Sequence, residues 1–433
     1  MYKKTILENG IRVVTETVDS VRSVSMGVVI DAGPQDEAPD QSGLAHLVEH
    51  IMFQGTSSRD AIQIARMIDS AGGQMGGFTT RDYTCYSATV LDDYHTYALD
   101  LLGDILLNSI FPDDSLEREK LAIMREIDGS RDIPDERAHD LLKSFAWSGH
   151  PLGRPIAGTP DSVRMLTRED VIYFVHENYL PTRIIIAGAG NVEHEDFVAQ
   201  VRDAFWRMLH PPPLPDGKEV QEKVPYQSGV VIEHMPVSQA YFSIGIRAKP
   251  YAHPDRYGLY VLNNVLGSGI SSRLFRRIRE ERGLVYEIDS DYHAYQDDGM
   301  LIIEGSTSPE YLMQVLGLTL VELWKLMTGD DAADEDEFWK AKMNIRGQHI
   351  ISGENMGTRM SRLATQELYF GRHILTEDVL SHIETVDAGV FRRMADESLT
   401  DALRKITIAV VGPEMPEHYS ISSVQDLLDS FNK

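Results

Sequence analysis

Three polar side chains interrupt an otherwise apolar run, Gly43-Leu-Ala-His-Leu-Val-Glu-His-Ile-Met-Phe53: His46, Glu49 and His50. The spacing predicts a helix with His46 and His50 one turn apart on one face and Glu49 beside them. Two neutral imidazoles suit zinc at about 2 Å. A carboxylate one position before the second histidine can hold a water at the metal without occupying the metal itself. The order His-x-x-Glu-His is the inverse of the commoner zinc-protease helix. A solvated face is a poor explanation, because Leu44, Ala45, Leu47, Val48, Ile51 and Met52 leave almost no polar surface. Burying three such groups without partners costs roughly 1–3 kcal/mol each, and a shared ion answers that cost.

The surrounding sequence must position this helix. Ile11–Val18 and Val24–Ala32 read as strands, and Asp40 or Ser42 is placed to cap the helix. Asp60 caps a second helix, which ends at Gly72-Gly73. The run Phe78–Leu91 reads as one long strand, and Tyr94–Ile110 as a helix stopped by Phe111-Pro112. Ser115 opens a further helix to Asp128 carrying Glu117, Glu119 and Glu126; Glu119 and Glu126, seven apart, share a face, which surface charge alone would also explain. Arg183–Gly188 is a strand and Val192–Leu209 an amphipathic helix.

At 433 residues the chain exceeds what one core usually serves. His210-Pro-Pro-Pro-Leu-Pro-Asp-Gly217 and the polar residues after it form a linker, because three consecutive prolines continue neither a helix nor a central strand. The expected division is residues 1–210, a linker over 211–224, and residues 225–433. The second part repeats the first: Gly258-Leu-Tyr-Val-Leu-Asn-Asn-Val265 lies over Gly43–His50 at an offset of 215 residues, with Val261, Asn264 and Val265 where His46, Glu49 and His50 stand. Strands and helices come in clusters, which predicts α+β domains. The net charge of −26 disfavours nucleic acid and anionic membranes as partners and suits cationic substrates. No apolar run is long enough for a membrane span, and Glu8 and Asn9 break any secretion signal. Cys85 is the single cysteine, which excludes an intrachain disulfide or a thiolate-rich zinc site and favours a cytoplasmic location.

Four stretches together resemble the pitrilysin/insulinase zinc metallopeptidases, in the short branch that includes mitochondrial processing peptidase. They are His46-Leu-Val-Glu-His50 with Met52–Thr56; Gly72-Gly73 through Thr79, Asp82, Thr84 and Tyr86; His150–Pro155 with Gly158-Thr159; and Ser271-Ser-Arg-Leu-Phe275 with Arg279, Gly283-Leu284 and Tyr286. The resemblance spans nearly the whole chain. It implies two homologous α/β-sandwich domains, each a mostly antiparallel sheet packed by helices. It makes Glu126, 76 positions after His50, the third ligand of one zinc ion per chain, and Glu119 the carboxylate that supports the ligands. Phe53 would line the pocket beside the scissile bond. Gly76, Gly77, Phe78 and Thr79 would lie on the substrate-binding edge strand, where the family often has Asn-Ala in place of Gly76-Gly77. Arg279 and Tyr286 would reach substrate and the developing oxyanion from the second domain, so binding would close the halves into a chamber.

The expected function is therefore a zinc endopeptidase with Glu49 as general base, acting on peptides or unfolded precursor segments added as an edge strand. The resemblance also implies a homodimer, or a heterodimer with a related subunit. The competing reading is a non-catalytic assembly subunit of the same fold, which would have little reason to keep His46, Glu49, His50 and Glu126.

Overall fold

The computed structural model describes residues 1–205, 208, 224–328, 333–394 and 405–431. Strands β1–β6 are Tyr2–Ile6, Arg12–Thr17, Ser23–Ile30, Gln74–Thr79, Thr84–Leu91 and Ile184–Gly190. Strands β7–β11 are Gly229–His234, Ala240–Ala248, Glu287–Ala294, Gly299–Thr307 and Ile406–Gly412. Helices α1–α8 are Leu44–Met52, Ala61–Ser70, His95–Asn108, Asp113–Arg131, Pro134–Ala146, Pro160–Met165, Arg168–Asn178 and His194–Phe205. Helices α9–α15 are Arg256–Leu266, Leu312–Thr328, Glu335–Ser352, Met356–Phe370, Thr376–Glu384, Ala388–Met394 and Ile421–Phe431.

The chain forms two compact units, and each draws on both halves of the sequence. The first comprises Met1–Asp128, Arg154–Val220 and Ile351–Ile374; the second comprises Gly129–Gly153, Gln221–Ile350 and Leu375–Lys433. A cut into 1–210 and 225–433 therefore leaves each unit one helix short. The stretch expected as linker lies outside the described residues except for Val224.

In the first unit the sheet runs β1-β2-β6-β3-β5-β4. Strand β6, Ile-Ile-Ile-Ala-Gly-Ala-Gly, is buried at every position, as an unbroken apolar strand with both faces covered should be. One face packs on α1, α3 and α8, with Leu47, Ile51, Leu102 and Phe197 in the core. On the other face, Val14, Val29, Ile185 and Ala187 meet Met360, Leu363 and Ala364 of α12. Each large apolar side chain buried there is worth roughly 1.5–3 kcal/mol. Asp82 fixes α12 further, accepting from the Tyr369 hydroxyl at 2.6 Å.

The second unit repeats the order with five strands among the described residues: β7-β11-β8-β10-β9. In both sheets one pair is parallel, β2 with β6 and β7 with β11, and the other pairs are antiparallel. Helix α9 occupies the place of α1, as the repeat in the sequence predicts. Helix α5 covers the opposite face, where Leu142, Ala146 and Trp147 pack on Met300, Ile302 and Ala409.

One expected element is divided. Phe78–Leu91 is two strands, β4 and β5, joined by a turn in which the Thr80 hydroxyl donates to the Tyr83 carbonyl and accepts from the Asp82 and Tyr83 N–H groups. Local side-chain bonding of this kind competes with continued strand. Strand β4 is thereby folded back to become the free edge of the sheet, with Gln74, Gly76 and Phe78 exposed in alternation.

Candidate metal centre

Helix α1 buries Leu44, Ala45, Leu47, Val48, Ile51 and Met52, which leaves His46, Glu49 and His50 on its remaining face. Its start differs from the sequence expectation: neither Asp40 nor Ser42 caps it. Gly43 occupies that position with φ 95°, and its Cα lies so close to Ala157 and Gly158 that any Cβ would strike the Ala157 carbonyl oxygen at 2.6 Å. The capping oxygens come from further back, because the buried Glu37 carboxylate accepts from the N–H groups of Gly43 at 3.1 Å and Ala45 at 2.8 Å. A carboxylate at a helix N-terminus meets unpaired donors and the positive end of the dipole.

Burial nonetheless pushes the Glu37 carboxyl up to about 8, against those two donations and the nearby Arg154. The folded protein thus keeps a proton that the unfolded chain releases near the ordinary carboxylate value. Stability contributed by this group is full below that value and is lost as pH rises toward about 8. Between about pH 5 and about pH 8 the Tm of the wild type should fall more steeply than that of Glu37→Gln, which has no proton to lose there.

Helix α4 brings two carboxylates to His50 from opposite sides of its ring. Glu119 Oε2 lies 3.1 Å from Nδ1 and Glu126 Oε2 lies 3.7 Å from Nε2. One ligand atom each from His46, His50 and Glu126 falls within 4.8 Å of the other two. The His46 and His50 rings stand edge to face, 4.6 Å apart between centroids. Burial, aided by His50, pushes His46 down to about 4, so its ring is neutral near pH 7; its Nδ1 is buried with no hydrogen-bond partner among the described residues.

This donor set fits zinc. It offers two imidazoles and one carboxylate, and Glu119 occupies the second nitrogen of one ligand, as ligand-supporting carboxylates do. Glu126 is half-exposed, whereas His50 and Glu119 are mostly covered.

Glu49 stands outside the ligand group. Its Oε2 accepts from the Thr79 hydroxyl at 2.6 Å, and burial raises its pKa against that bond. Gly77 backs onto it, whereas a Cβ on Gly76 would meet nothing within 4 Å. Phe53 ends α1 with its ring 5.9 Å from Tyr86, and Phe78 stands exposed on β4, 6.1 Å from the Tyr83 ring. The structure thus gathers His46, Glu49, His50, Glu119 and Glu126, with Gly77 and Thr79 against Glu49. Arg279 and Tyr286 belong to the second unit, where the Arg279 guanidinium lies 4.5 Å from the Phe275 ring centre and 5.5 Å from that of Tyr286. Arg279 lies in a π-helical turn over Phe275–Glu280.

Residues 12–160 match the insulinase family, peptidase family M16, and residues 165–345 match the inactive domain of the same peptidase family. The uncharacterized zinc protease YmxG of Bacillus subtilis is 34% identical over 414 residues, covering 95% of this chain and 98% of that protein. The chain belongs to the insulinase family. Other M16 relatives carry similar names. An uncharacterized zinc protease of Streptomyces coelicolor is 33% identical over 415 residues, covering 95% of this chain and 89% of that protein. A probable mitochondrial-processing peptidase beta subunit of Arabidopsis thaliana is 29% identical over 432 residues, covering 96% of this chain and 79% of that protein. The fold matches solved structures too. A protease from Helicobacter pylori superposes with TM-score 0.88 at 20% identity, covering 95% of this chain and 99% of that one. A peptidase M16 inactive domain from Pseudomonas fluorescens gives 0.86 at 20%, covering 96% and 98%.

Proposed function

We propose that this M16 chain is a zinc-dependent endopeptidase that cuts flexible peptides or unfolded segments. The observation that carries the reading is the convergence of ligand atoms from His46, His50 and Glu126 within 4.8 Å, with a non-ligand carboxylate, Glu49, beside them. Zinc held by those three residues supplies a Lewis acid that polarises the scissile carbonyl and makes water acidic near neutral pH. Glu49 takes the proton as the water O–H bond breaks and the water oxygen joins the carbonyl carbon. It then gives that proton to the amide nitrogen as the C–N bond breaks. Glu119 orients His50. Arg279 and Tyr286 are assigned to the substrate carbonyl and Phe53 to the pocket beside it.

The free edge of β4 supports substrate binding by strand addition at Gly76–Thr79, because backbone pairing accepts many sequences. Compact proteins offer no free strand, so unfolded chains are the substrates. In the second unit a cavity of about 410 Å³ is lined by Asp135, Glu136, Asp140, Glu287, Asp289 and Glu304, which supports a preference for basic peptides. Trp339, Met343 and Ile350, exposed on α11, support a homodimer, or a heterodimer with a related subunit; light scattering at working concentration should give the mass of two chains. No helix among the described residues is long and apolar enough to cross a membrane. A cytoplasmic location completes the proposal, resting on the lone, buried Cys85.

Mass-spectrometric mapping of cuts in a peptide mixture tests the function. Internal cuts should appear, favour basic segments at low salt, stop with a zinc chelator and return on adding zinc. Cleavage that survives the chelator, or equal rates on native compact proteins, would overturn the proposal.

A further inference from the structure

The strand that offers the free edge also grips the base. The Thr79 hydroxyl donates to Oε2 of Glu49 at 2.6 Å, while Oε1 accepts no hydrogen bond from the described residues. Gly77 lies two residues before Thr79, on the same face of the strand. A Cβ there would come within 2.8 Å of Glu49 Cγ and 3.3 Å of Oε1, so the side chain rests directly on the strand backbone. Among the described residues, strand β4 pairs with β5 on one side and with no strand on the other.

We propose that Thr79 is the positioning residue for the general base: its hydroxyl immobilises Oε2 and leaves Oε1 as the oxygen that receives the proton from water. The inference rests on the reading of Glu49 as base and deepens it. A glutamate side chain has three torsions to lose, and a misplacement of about 1 Å at a reacting group costs on the order of 100-fold in rate. Thr79 and bare Gly77 between them remove that freedom without neutralising the carboxylate.

Thr79→Val removes the hydroxyl at nearly constant shape. It should lower kcat by about 10- to 100-fold, the range expected for losing a hydrogen bond to a charged group, with KM and zinc per chain unchanged. Thr79→Ser should restore most of kcat. On a Glu49→Gln background Thr79→Val should cost nothing further, and peptide affinity measured there should not move. Should Thr79→Val fail to fold, judged by circular dichroism, Thr79→Ala takes its place with the same expectations. A change in KM alone, an equal loss of residual rate in the Glu49→Gln background, or no recovery with serine would overturn the inference. Should Glu49→Gln itself turn over at the wild-type rate, the reading of the base falls; should it be inactive while Thr79→Val is normal, only the positioning role falls.

Discussion

Glu49→Gln holds its zinc and loses turnover by about 10²- to 10⁴-fold. Glutamine has the same length and branching as glutamate, so it fills the same space over Gly77 and its amide oxygen can still accept from Thr79. What disappears is the ability to accept a proton. The ligand group contains His46, His50 and Glu126 but not Glu49, so metal content should stay at the wild-type level. Measuring kcat at saturating peptide beside zinc per chain separates the two effects. A variant that cleaves like the wild type, or one that has lost its metal, contradicts the assignment.

Asp298→Ala should destabilise the second unit by about 3 kcal/mol and lower Tm by several degrees. The buried carboxylate accepts from the indole Nε1 of Trp147 at 3.0 Å and from Arg247 Nε at 3.1 Å. Trp147 is itself wholly buried, at the end of α5. Removing the acid leaves the indole N–H without its acceptor and a three-quarters-buried guanidinium without its counter-charge. Breaking one side of such a pair costs more than the pair contributes, because the remaining group stays desolvated. Thermal unfolding followed by circular dichroism measures the effect, and a loss below about 1 kcal/mol would show that water replaces the acid.

The chemistry of α1 was legible because its polar residues break an apolar helix at fixed spacing, a pattern that three turns of sequence contain in full. Glu126 was not legible by spacing, since residues 76 positions apart on different helices are joined only by the fold; the family resemblance singled it out. Glu37 gave no signal, because its target N–H groups lie six and eight residues on, beyond the usual capping interval. Thr79 was placed on the substrate strand, but its bond to Glu49 depends on β4 turning back at Thr80–Tyr83, where the sequence read as one continuous strand. The repeat between α1 and α9 predicted two similar sheets. It could not predict which sheet α5 and α12 would cover, because an apolar helix face specifies that it needs a partner without naming one.

Residues 134–146 and 356–370 each complete the unit that the opposite half of the chain begins, and this governs how the protein is made. A nascent chain emerges from its N-terminus, so the outer face of the first sheet, with Val14, Val29 and Ile185, stays bare until the ribosome has passed residue 370. Helix α1 thus sits on a half-clad scaffold until residues 356–370 have been made, and assembly of its unit must wait for them.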